Sequence, residues 1–513
     1  MPLSNSNAKR TLASALPYLL FLFFGLLLRI PFYTDYFVPG VIVDSFAYAD
    51  FAKNIFLHEM PPAFRAYTPG YPLFLYLTET LGSHTMWSFF MVQTVINFVL
   101  YFFVINVLFG TKAMGSILKY SILFILILFF NSSATLSIET TMGPVQLFNG
   151  LSLLLVMLSA SIILDKKFSL LYILSAIIIF CLLMLLRPQA IVFGPLFLLV
   201  LIYLLLGKKY KLIAVAVILP VLVFITMCSY NYFSLGSFTY SMQQYYGNIR
   251  VSAIFVEKKS NQPLLIQKAL DSTNAVLARD FPGQTKETIL THSPGMADGY
   301  GRFFDQLISD YYHNSVPKAM KDSVTMVMNK DKNMGLYFKK ILVCYKIQMY
   351  DNSLKREFYT SELKERVTFI ERHGYWTDKS SMTERVVTKD FYPYYYEGKK
   401  MKIGEDRPHS PIIRIVFLLN TRISGLLRKL PLGYIYVGVL SAFFLIIVFR
   451  FTKLFSVPGF LTAFLITLIP LSNYTLIAAT VFPTFRYSYT SDFFTLLCPV
   501  ILLGVIYDLR GRV

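Results

Sequence analysis

The residue best suited to chemistry is Asp44, which lies just outside the first membrane-length apolar segment. It stands in the stretch 43–54 of a loop that closes with the stretch 67–75, rich in Tyr, Pro and Leu. The loop is too polar to cross a bilayer and too aromatic to be a mere connector. A charged residue held at a membrane surface is by default a candidate functional residue.

A simpler role for Asp44 is structural. After it, Ala47, Phe51 and Ile55 recur every four positions while Asp50 falls on another side, which predicts an amphipathic helix lying on the membrane. Asp44 stands at the amino end of that helix, where a carboxylate can cap backbone N–H groups. Capping is the commoner role, so the choice between the two depends on the rest of the chain.

The elements around this loop are membrane segments. Of the 513 residues, 55% are hydrophobic and 16% aromatic, and the mean hydropathy of +0.54 is far above that of a soluble domain. Apolar runs long enough to cross the hydrocarbon core predict about ten spans. They cover 15–33, 86–109, 114–130, 143–164, 168–186, 189–206, 212–229, 432–449, 456–477 and 490–507.

Lys and Arg in the short loops predict the orientation, because both are enriched on the cytoplasmic side. If the spans alternate, one side collects Lys9, Arg10, Lys112, Lys119, Lys166, Lys167, Lys208, Lys209, Lys211, Arg450, Lys453, Arg510 and Arg512. We expect that side to be the cytoplasm of a bacterial inner membrane, with both termini on it. The loop 35–84 and the segment 230–431 then lie on the periplasmic face.

The chain divides into a core of about seven spans over 1–229, an external domain over 230–431 and C-terminal membrane helices over 432–513. The external domain is expected to be mostly helical and has no internal disulfide, because Cys344 is its only cysteine. Its sequence predicts short helices over 301–312, 315–329 and 335–350, and an interfacial amphipathic helix over 411–430.

Charge and motifs exclude several classes of partner. Much of the net charge of +19 sits in the short loops, so we expect membrane lipids as partners and no nucleic acid. The sequence has no phosphate-binding glycine loop, no paired Cys-x-x-Cys and no Asp-x-Asp for a nucleotide-sugar metal. Neither ATP nor a nucleotide sugar is an obvious substrate.

One pattern resembles a known family. Arg29 near the external end of the first span, then Asp44, Tyr48 and Ala52 at four-residue spacing, then the stretch 69–75, resemble the opening of the GT-C glycosyltransferases. The closer similarity is to the bacterial relatives of protein mannosyltransferases and of the lipid A aminoarabinose transferase. Further motifs follow in the family's order at 136–140, 187–188, 231, 236–238, 247–248, 485–487 and 498–499. The similarity covers the seven-span core well and the last third weakly.

The resemblance implies an all-helical GT-C core and an enzyme that takes a sugar from a polyprenyl-phosphate donor. The sugar would pass, with inversion, to a lipid, polysaccharide or protein acceptor on the external face. Such a transfer needs a base for the acceptor proton and groups that stabilise the departing phosphate. Asp44 is the expected base and Glu139 the expected second acid, although Glu139 could also be an acid favoured by a helix dipole.

The remaining site residues follow from the same resemblance. The donor phosphate is expected to meet Arg187, Arg486 and Arg65, and the sugar or acceptor is expected to meet Tyr48, Tyr67 and Tyr71. Snorkelling to the interface is the simpler explanation of Arg187 and Arg486, and an interfacial aromatic belt is that of the tyrosines. No cofactor is certain, and whether a divalent metal is shared by the two carboxylates stays open.

A transporter or lipid flippase is the alternative. In it, the same charged residues would bind and move cargo without bond chemistry. Transporters usually carry inverted repeats and broken helices near the middle of the membrane. Here the charged residues crowd at one face, which favours the enzyme.

Overall fold

The computed structural model describes residues 5–33, 48, 51–52, 68–81, 86–166, 169–235, 238–240, 254–292, 324, 326–328, 330–350, 411–454, 458–480 and 485–510. Across these ranges the regular secondary structure is helical, and single bridge residues occur at Thr141, Val256 and Lys332. The prediction of an all-helical protein is confirmed for this part of the chain. Asp44, Arg65 and Tyr67 lie outside the described residues.

The first half of the chain forms nine helices in the described ranges, with a 3-10 helix at Pro188–Phe193 between α7 and α8. These nine are α1 (Asn5–Tyr33), α2 (Gly70–Thr80), α3 (Met86–Gly110), α4 (Ser116–Phe130), α5 (Ser133–Glu139), α6 (Val145–Leu164), α7 (Leu170–Leu186), α8 (Gly194–Leu206) and α9 (Tyr210–Leu235). The second half adds α10 (Leu264–Asp280), α11 (Lys286–His292), α12 (Met334–Tyr350), α13 (Pro411–Arg428), α14 (Leu432–Leu454), α15 (Pro458–Thr480) and α16 (Phe485–Arg510).

Seven segments of the described chain are long and apolar enough to cross a bilayer. They cover Ser88–Gly110, Val145–Leu164, Pro188–Leu206, Tyr210–Phe233, Leu432–Phe449, Gly459–Ala478 and Tyr489–Ile506. Shorter apolar helices occupy the other predicted spans, at Ala15–Pro31, Ser116–Phe130 and Leu170–Leu186. The protein is therefore a polytopic α-helical membrane protein, while the count of ten spans stays a prediction.

Helix α6 is the centre of the bundle. It contacts α3, α7, α8, α15 and α16, and nearly all of its residues are buried. A helix that is apolar on nearly all sides must be surrounded by other helices or by lipid, and here helices surround it. Its first turns nevertheless carry buried polar side chains, Gln146, Asn149 and Ser152.

Aromatic packing fixes α1 against α3 and α4. The Phe130 ring lies 4.7 Å from the Phe21 ring and 4.4 Å from the Tyr101 ring, between centroids. A Cβ atom on Gly25 would lie 2.6 Å from the Phe98 ring, so a side chain at this position would force that ring to move. The packing places Arg29, one turn beyond Gly25, inside the bundle.

Two short loops are joined at the opposite end of α6. The Asp165 carboxylate accepts the backbone N–H groups of Lys112 and Ala113, each at 2.8 Å. Since α6 begins soon after Glu139 and ends beside Asp165, these two acids lie at opposite ends of the helix. Lys112 and Lys166 therefore share an end of the bundle, as their predicted common side of the membrane requires.

Tyr436 of α14 enters the hydrogen-bond ladder of α15 beside Pro470. Its hydroxyl accepts the N–H of Leu471 at 3.0 Å and donates to the carbonyl of Thr467 at 2.7 Å. An uninterrupted helix pairs those two backbone groups with each other. A side chain inserted into the ladder next to a proline is a recognised cause of helix bending.

The region between α9 and α14 is partly described. A helix at Met334–Tyr350 confirms the one predicted over 335–350, and α13 confirms a helix at 411–430. Residues 301–312 and most of 315–329 lie outside the description, and α10 and α11 were not predicted. Lys340 of α12 donates to the carbonyl of Ala478 at 2.5 Å, so this region packs on the membrane helix α15.

Helix α13 is amphipathic in its packing. One side, with Val416, Asn420 and Ser424, is buried, and the Asn420 amide donates to the carbonyl of Asn131 at 2.7 Å. The other side exposes large apolar side chains at Ile412, Ile415, Leu418, Leu419 and Leu426. An exposed apolar face on a helix fixed to the bundle fits the predicted place at the membrane interface.

Candidate functional site

A buried ion pair joins Arg29 of α1 to Glu139 at the end of α5. The guanidinium Nε lies 2.9 and 3.0 Å from the two carboxylate oxygens, and Nη2 lies 2.7 Å from Oε2. Glu139 is 0% exposed and Arg29 is 3% exposed. Removing both charges from water costs free energy. The two-pronged contact of the guanidinium with the carboxylate, together with further hydrogen bonds, offsets this cost.

Further partners satisfy the guanidinium. Its Nη1 donates to the Asn131 side chain at 2.9 Å, and its Nη2 donates to the carbonyl of Phe130 at 3.0 Å. The Phe130 ring lies under the guanidinium, 3.8 Å from its carbon to the ring centroid. The end of α4 therefore completes the arginine's surroundings, with two neutral oxygen acceptors and one aromatic contact.

Two hydroxyl groups also donate hydrogen bonds to the Glu139 carboxylate. Tyr33 donates to Oε1 at 3.2 Å, and Thr94 of α3 makes a short hydrogen bond to the same atom. With Arg29 on both oxygens, this carboxylate is fixed in position by donors from two other helices, α1 and α3. Such a group is well suited to hold neighbouring elements in place.

Gln93 links this pair to the loop that carries the predicted site. Its amide nitrogen donates to the carbonyl of Glu139 at 3.0 Å and to the Gln146 side chain at 3.1 Å. Its amide oxygen accepts the Tyr71 hydroxyl at 3.2 Å. The Tyr71 ring in turn meets the Tyr48 ring edge to face, with centroids 5.1 Å apart. A continuous series of contacts thus connects Tyr48 to the ion pair.

The two tyrosines are interior residues in this structure. Tyr48 is 7% exposed and Tyr71 is 0% exposed, and both belong to the main hydrophobic core. Phe51 and Ala52, which follow Tyr48 in the predicted amphipathic helix, are helical and buried too. The described part of the loop therefore packs into the bundle through its aromatic side.

Arg187 lies where α7 ends. Its backbone is extended, with φ −154° and ψ 140°, and Pro188 begins the 3-10 helix directly after it. The residue before a proline is biased towards this conformation. The side chain is mostly buried, and its guanidinium carbon lies 5.7 Å from the Phe148 ring of α6. The tight connection between spans that the sequence predicts is confirmed.

The end of the first loop touches the same turn. The Thr68 hydroxyl donates to the carbonyl of Leu186 at 2.8 Å, and a Cβ atom on Gly70 would lie 2.6 Å from the Leu185 carbonyl oxygen. Only a glycine allows so close an approach of two backbones. The start of α2 is therefore held beside Arg187.

The described site residues converge on one end of the bundle. Tyr48, Tyr71 and Glu139 are connected through Gln93, and Arg187 adjoins the segment that leads into Tyr71. Arg486 lies in the first turn of α16, and its side chain is outside the description. One turn later, the Tyr489 hydroxyl lies 2.7 Å from the Thr135 hydroxyl of α5. The start of α16 thus belongs to the same end.

Several polar residues of this region were missed in the sequence. Gln93 is the main one, and its spacing of four from Asn97 and eight from Tyr101 was an available signal of a polar stripe on α3. Asp492 of α16 is another, because it is fully buried and accepts the Tyr474 hydroxyl at 3.0 Å. A carboxylate within a predicted span is by itself a reason for attention.

Within the described ranges, no group of three or more His, Cys, Asp or Glu side chains could hold a metal ion. Asp44 lies outside those ranges, so a metal shared between Asp44 and Glu139 is untested. In the described structure both oxygens of Glu139 are engaged by protein donors. This end of the bundle therefore has a buried ion pair, Arg29 and Glu139, connected by hydrogen bonds to Tyr71 at the end of the first loop.

Comparisons with known proteins add no family to this geometry. No family model matches the chain, and no curated protein or solved structure matches it. The resemblance to GT-C enzymes therefore rests on the sequence motifs.

Proposed function

We propose that the protein is a membrane glycosyltransferase of the GT-C type with about ten spans. It takes a sugar from a polyprenyl phosphate and transfers it, with inversion, to an acceptor at the external face of a bacterial inner membrane. The observation that carries the proposal is the convergence of Tyr48, Tyr71, Glu139 and Arg187 at one end of the bundle. These residues are far apart in the sequence, and the resemblance to the family motifs is the reason to expect them in one site.

The proposed reaction is a single displacement. An acceptor hydroxyl or amine attacks the anomeric carbon while the bond from that carbon to the phosphate oxygen breaks. Asp44 takes the acceptor proton, and the polyprenyl phosphate leaves with the bonding electrons. Because one in-line step exchanges the two groups, the configuration at the anomeric carbon is inverted.

Arg187, with Arg486 and Arg65, is proposed to bind the donor phosphate and to stabilise its charge as it departs. Arg187 is the best supported of the three, since its backbone is fixed between α7 and Pro188 beside the loop. A guanidinium fork matches two phosphate oxygens in a way that an ammonium does not.

Glu139 is proposed to act as a positioning residue. Its carboxylate is held by Arg29, Tyr33 and Thr94, so it is already committed to protein donors. Through its backbone carbonyl and Gln93 it supports Tyr71, and hence the loop that carries Asp44. The two carboxylates then have different roles: Asp44 takes the proton, and Glu139 holds the neighbouring residues in position.

The test offers labelled polyprenyl-phosphate sugars and membrane extracts to the purified protein. Asp44→Asn should lower transfer by two to four orders of magnitude, roughly the contribution of a general base, with donor binding retained. Asp50→Asn, the same change in the same loop, should keep wild-type transfer. Arg187→Gln should weaken donor binding, and Lys at this position should restore it only in part.

Two results would contradict the proposal. Wild-type turnover by Asp44→Asn would leave that residue as a helix cap. Absence of transfer from every donor, combined with movement of a labelled lipid across vesicles containing the protein, would favour the transporter or flippase.

A further inference from the structure

A cavity opens at the end of the bundle opposite Glu139. Its volume is about 610 Å³, and it lies between α4, α6, α15 and α16. Small residues on these elements and the adjoining loop leave it open, namely Ala113, Ala160, Gly459, Ala463 and Gly504. The rest of its wall is mostly aliphatic. A space of this size and lining, between membrane helices, suits a hydrocarbon chain.

The mouth of this cavity is basic. Lys166 lines it, and Lys112 precedes the lining residue Ala113. Asp165 is the neighbouring acid, and its two oxygens are occupied by the N–H groups of Lys112 and Ala113. These bonds tie the two loops together and hold the backbone of Lys112 beside Asp165, the residue before Lys166, and both lysine side chains are exposed.

Lys166 keeps its place in an unusual backbone conformation. Its φ is +51°, a region that side chains with a Cβ atom rarely adopt. Glycine or asparagine is the usual residue at such a helix end. Compared with glycine at this position, Lys166 makes the backbone less stable, but it places a positive charge at the cavity.

We propose that this cavity binds an acyl chain of an anionic phospholipid of the bilayer, whose phosphate lies between Lys166 and Lys112. Apolar walls take the chain, and the two cations match the headgroup charge. The site lies at the far end of α6 from the proposed transfer site, and it does not depend on that function.

The experiment is native mass spectrometry of the full-length protein with phosphatidylglycerol and phosphatidylcholine of identical acyl chains. We expect one phosphatidylglycerol to bind on the order of 25-fold more tightly than phosphatidylcholine, because each of the two lysines near the headgroup supplies about fivefold. Lys166→Gly should lower this preference about fivefold, because it removes one of the two cations. The fold should not suffer, because glycine adopts the positive φ without strain.

Lys208→Gly is the matched control. Lys208 also follows a helix end, has a φ of +55° and is exposed, but it does not line the cavity. The change therefore removes the same charge from the same backbone conformation, and the lipid preference should stay at the wild-type value.

A second variant tests the chain-binding part. Gly459→Leu should lower the binding of both lipids, because its side chain would enter the cavity. A Cβ atom there would meet only the flexible Leu164 side chain, at 3.4 Å, so folding should be retained.

The proposal is wrong if Lys166→Gly and Lys208→Gly have equal effects, or if Gly459→Leu binds both lipids as the wild type does. It is also wrong if phosphatidylglycerol has no advantage over phosphatidylcholine while a polyprenyl phosphate occupies the site. That result would make the cavity a site for the donor's tail.

Discussion

Arg29 and Glu139 are separated by 110 positions in the sequence, yet the guanidinium of one contacts both carboxylate oxygens of the other at 2.7 to 3.0 Å. The pair ties the end of the first long helix to the segment between α4 and α6. Since both groups are buried, each depends on the other for the stability of its charge.

Removing one partner should therefore be costly. Arg29→Gln leaves a buried carboxylate without its counter-ion, and we expect a loss of about 3 to 5 kcal/mol in stability. The measurement is the fraction of folded protein that survives heating in detergent. Arg279→Gln is the control, because that arginine is 73% exposed in its pair with Asp280 and should have little effect.

The double variant Arg29→Met with Glu139→Gln should be more stable than Arg29→Gln alone. It removes both charges and leaves an amide that Tyr33 and Thr94 can still donate to. Equal heat sensitivity of the single variant and Arg279→Gln would contradict the structural importance of the pair.

Gly70 should tolerate no side chain. An alanine Cβ would lie 2.6 and 2.7 Å from backbone atoms of Leu185, so Gly70→Ala must push α2 away from the Arg187 turn. We expect a loss of about 1 to 3 kcal/mol in stability, together with reduced sugar transfer. Gly438→Ala is the control, because nothing lies within 4 Å of its added Cβ atom. A harmless Gly70→Ala would show that the close approach is not needed.

Acid should weaken the anchoring of α10 at Asp331. Its carboxylate accepts Lys259 Nζ at 2.6 Å and Gln262 Nε2 at 2.9 Å, and these hydrogen bonds lower the pKa of Asp331. A lowered folded pKa means that the stabilisation is complete above the ordinary aspartate pKa, about 3.9, and is lost as the pH falls through the folded value.

The comparison is between the wild type and Asp331→Asn in thermal unfolding from pH 7 to pH 2. At pH 7 the variant should be less stable by roughly 1 kcal/mol, because Lys259 is half exposed. The difference should vanish at the acidic end. A difference that is independent of pH would show that the charge of Asp331 contributes nothing.

The native cysteines should not react with thiol reagents in the folded protein. Cys181, Cys228, Cys344 and Cys498 are all buried and free. Burial raises the pKa of Cys344 to about 11, which leaves roughly one thiolate in a thousand at pH 8. The wild type should therefore label only after denaturation.

Because the native cysteines give no background labelling, introduced cysteines can test the orientation of the protein in the membrane. Cysteines introduced at Ser45 and Asp378 should react with an impermeant reagent from outside intact spheroplasts, whereas one at Ser4 should not. Labelling at Ser4 with protection at Asp378 would reverse the predicted topology and move the proposed site to the other face.

The sequence predicted the helices better than it predicted their contacts. Apolar length identified the membrane segments, and Pro188 was a sufficient reason to expect a sharp turn at Arg187. The partner of Glu139 could not be found in this way, because the spacing of residues along one helix says nothing about which distant helix lies beside it. Gln93 was missed for a related reason, since one amide in an apolar segment hardly changes its hydropathy.

The site residues come from the sequence motifs and stay predictions. Tyr48, Tyr71, Glu139 and Arg187 were identified from motifs, and the structure brings their surroundings together. Their burial and mutual support were not predictable, because both depend on packing among α3, α5 and α7. The chemical roles of these residues and of Asp44 stay predictions.

The Tyr436 hydroxyl has a consequence for the biogenesis of the protein. In lipid, an unpaired N–H at Leu471 and an unpaired carbonyl at Thr467 would each cost several kcal/mol, on the order of a lost hydrogen bond in hydrocarbon. Tyr436 supplies both partners from the preceding helix. Tyr436 can bond both groups only when α14 lies beside α15, so we expect the two helices to leave the translocon together as a hairpin.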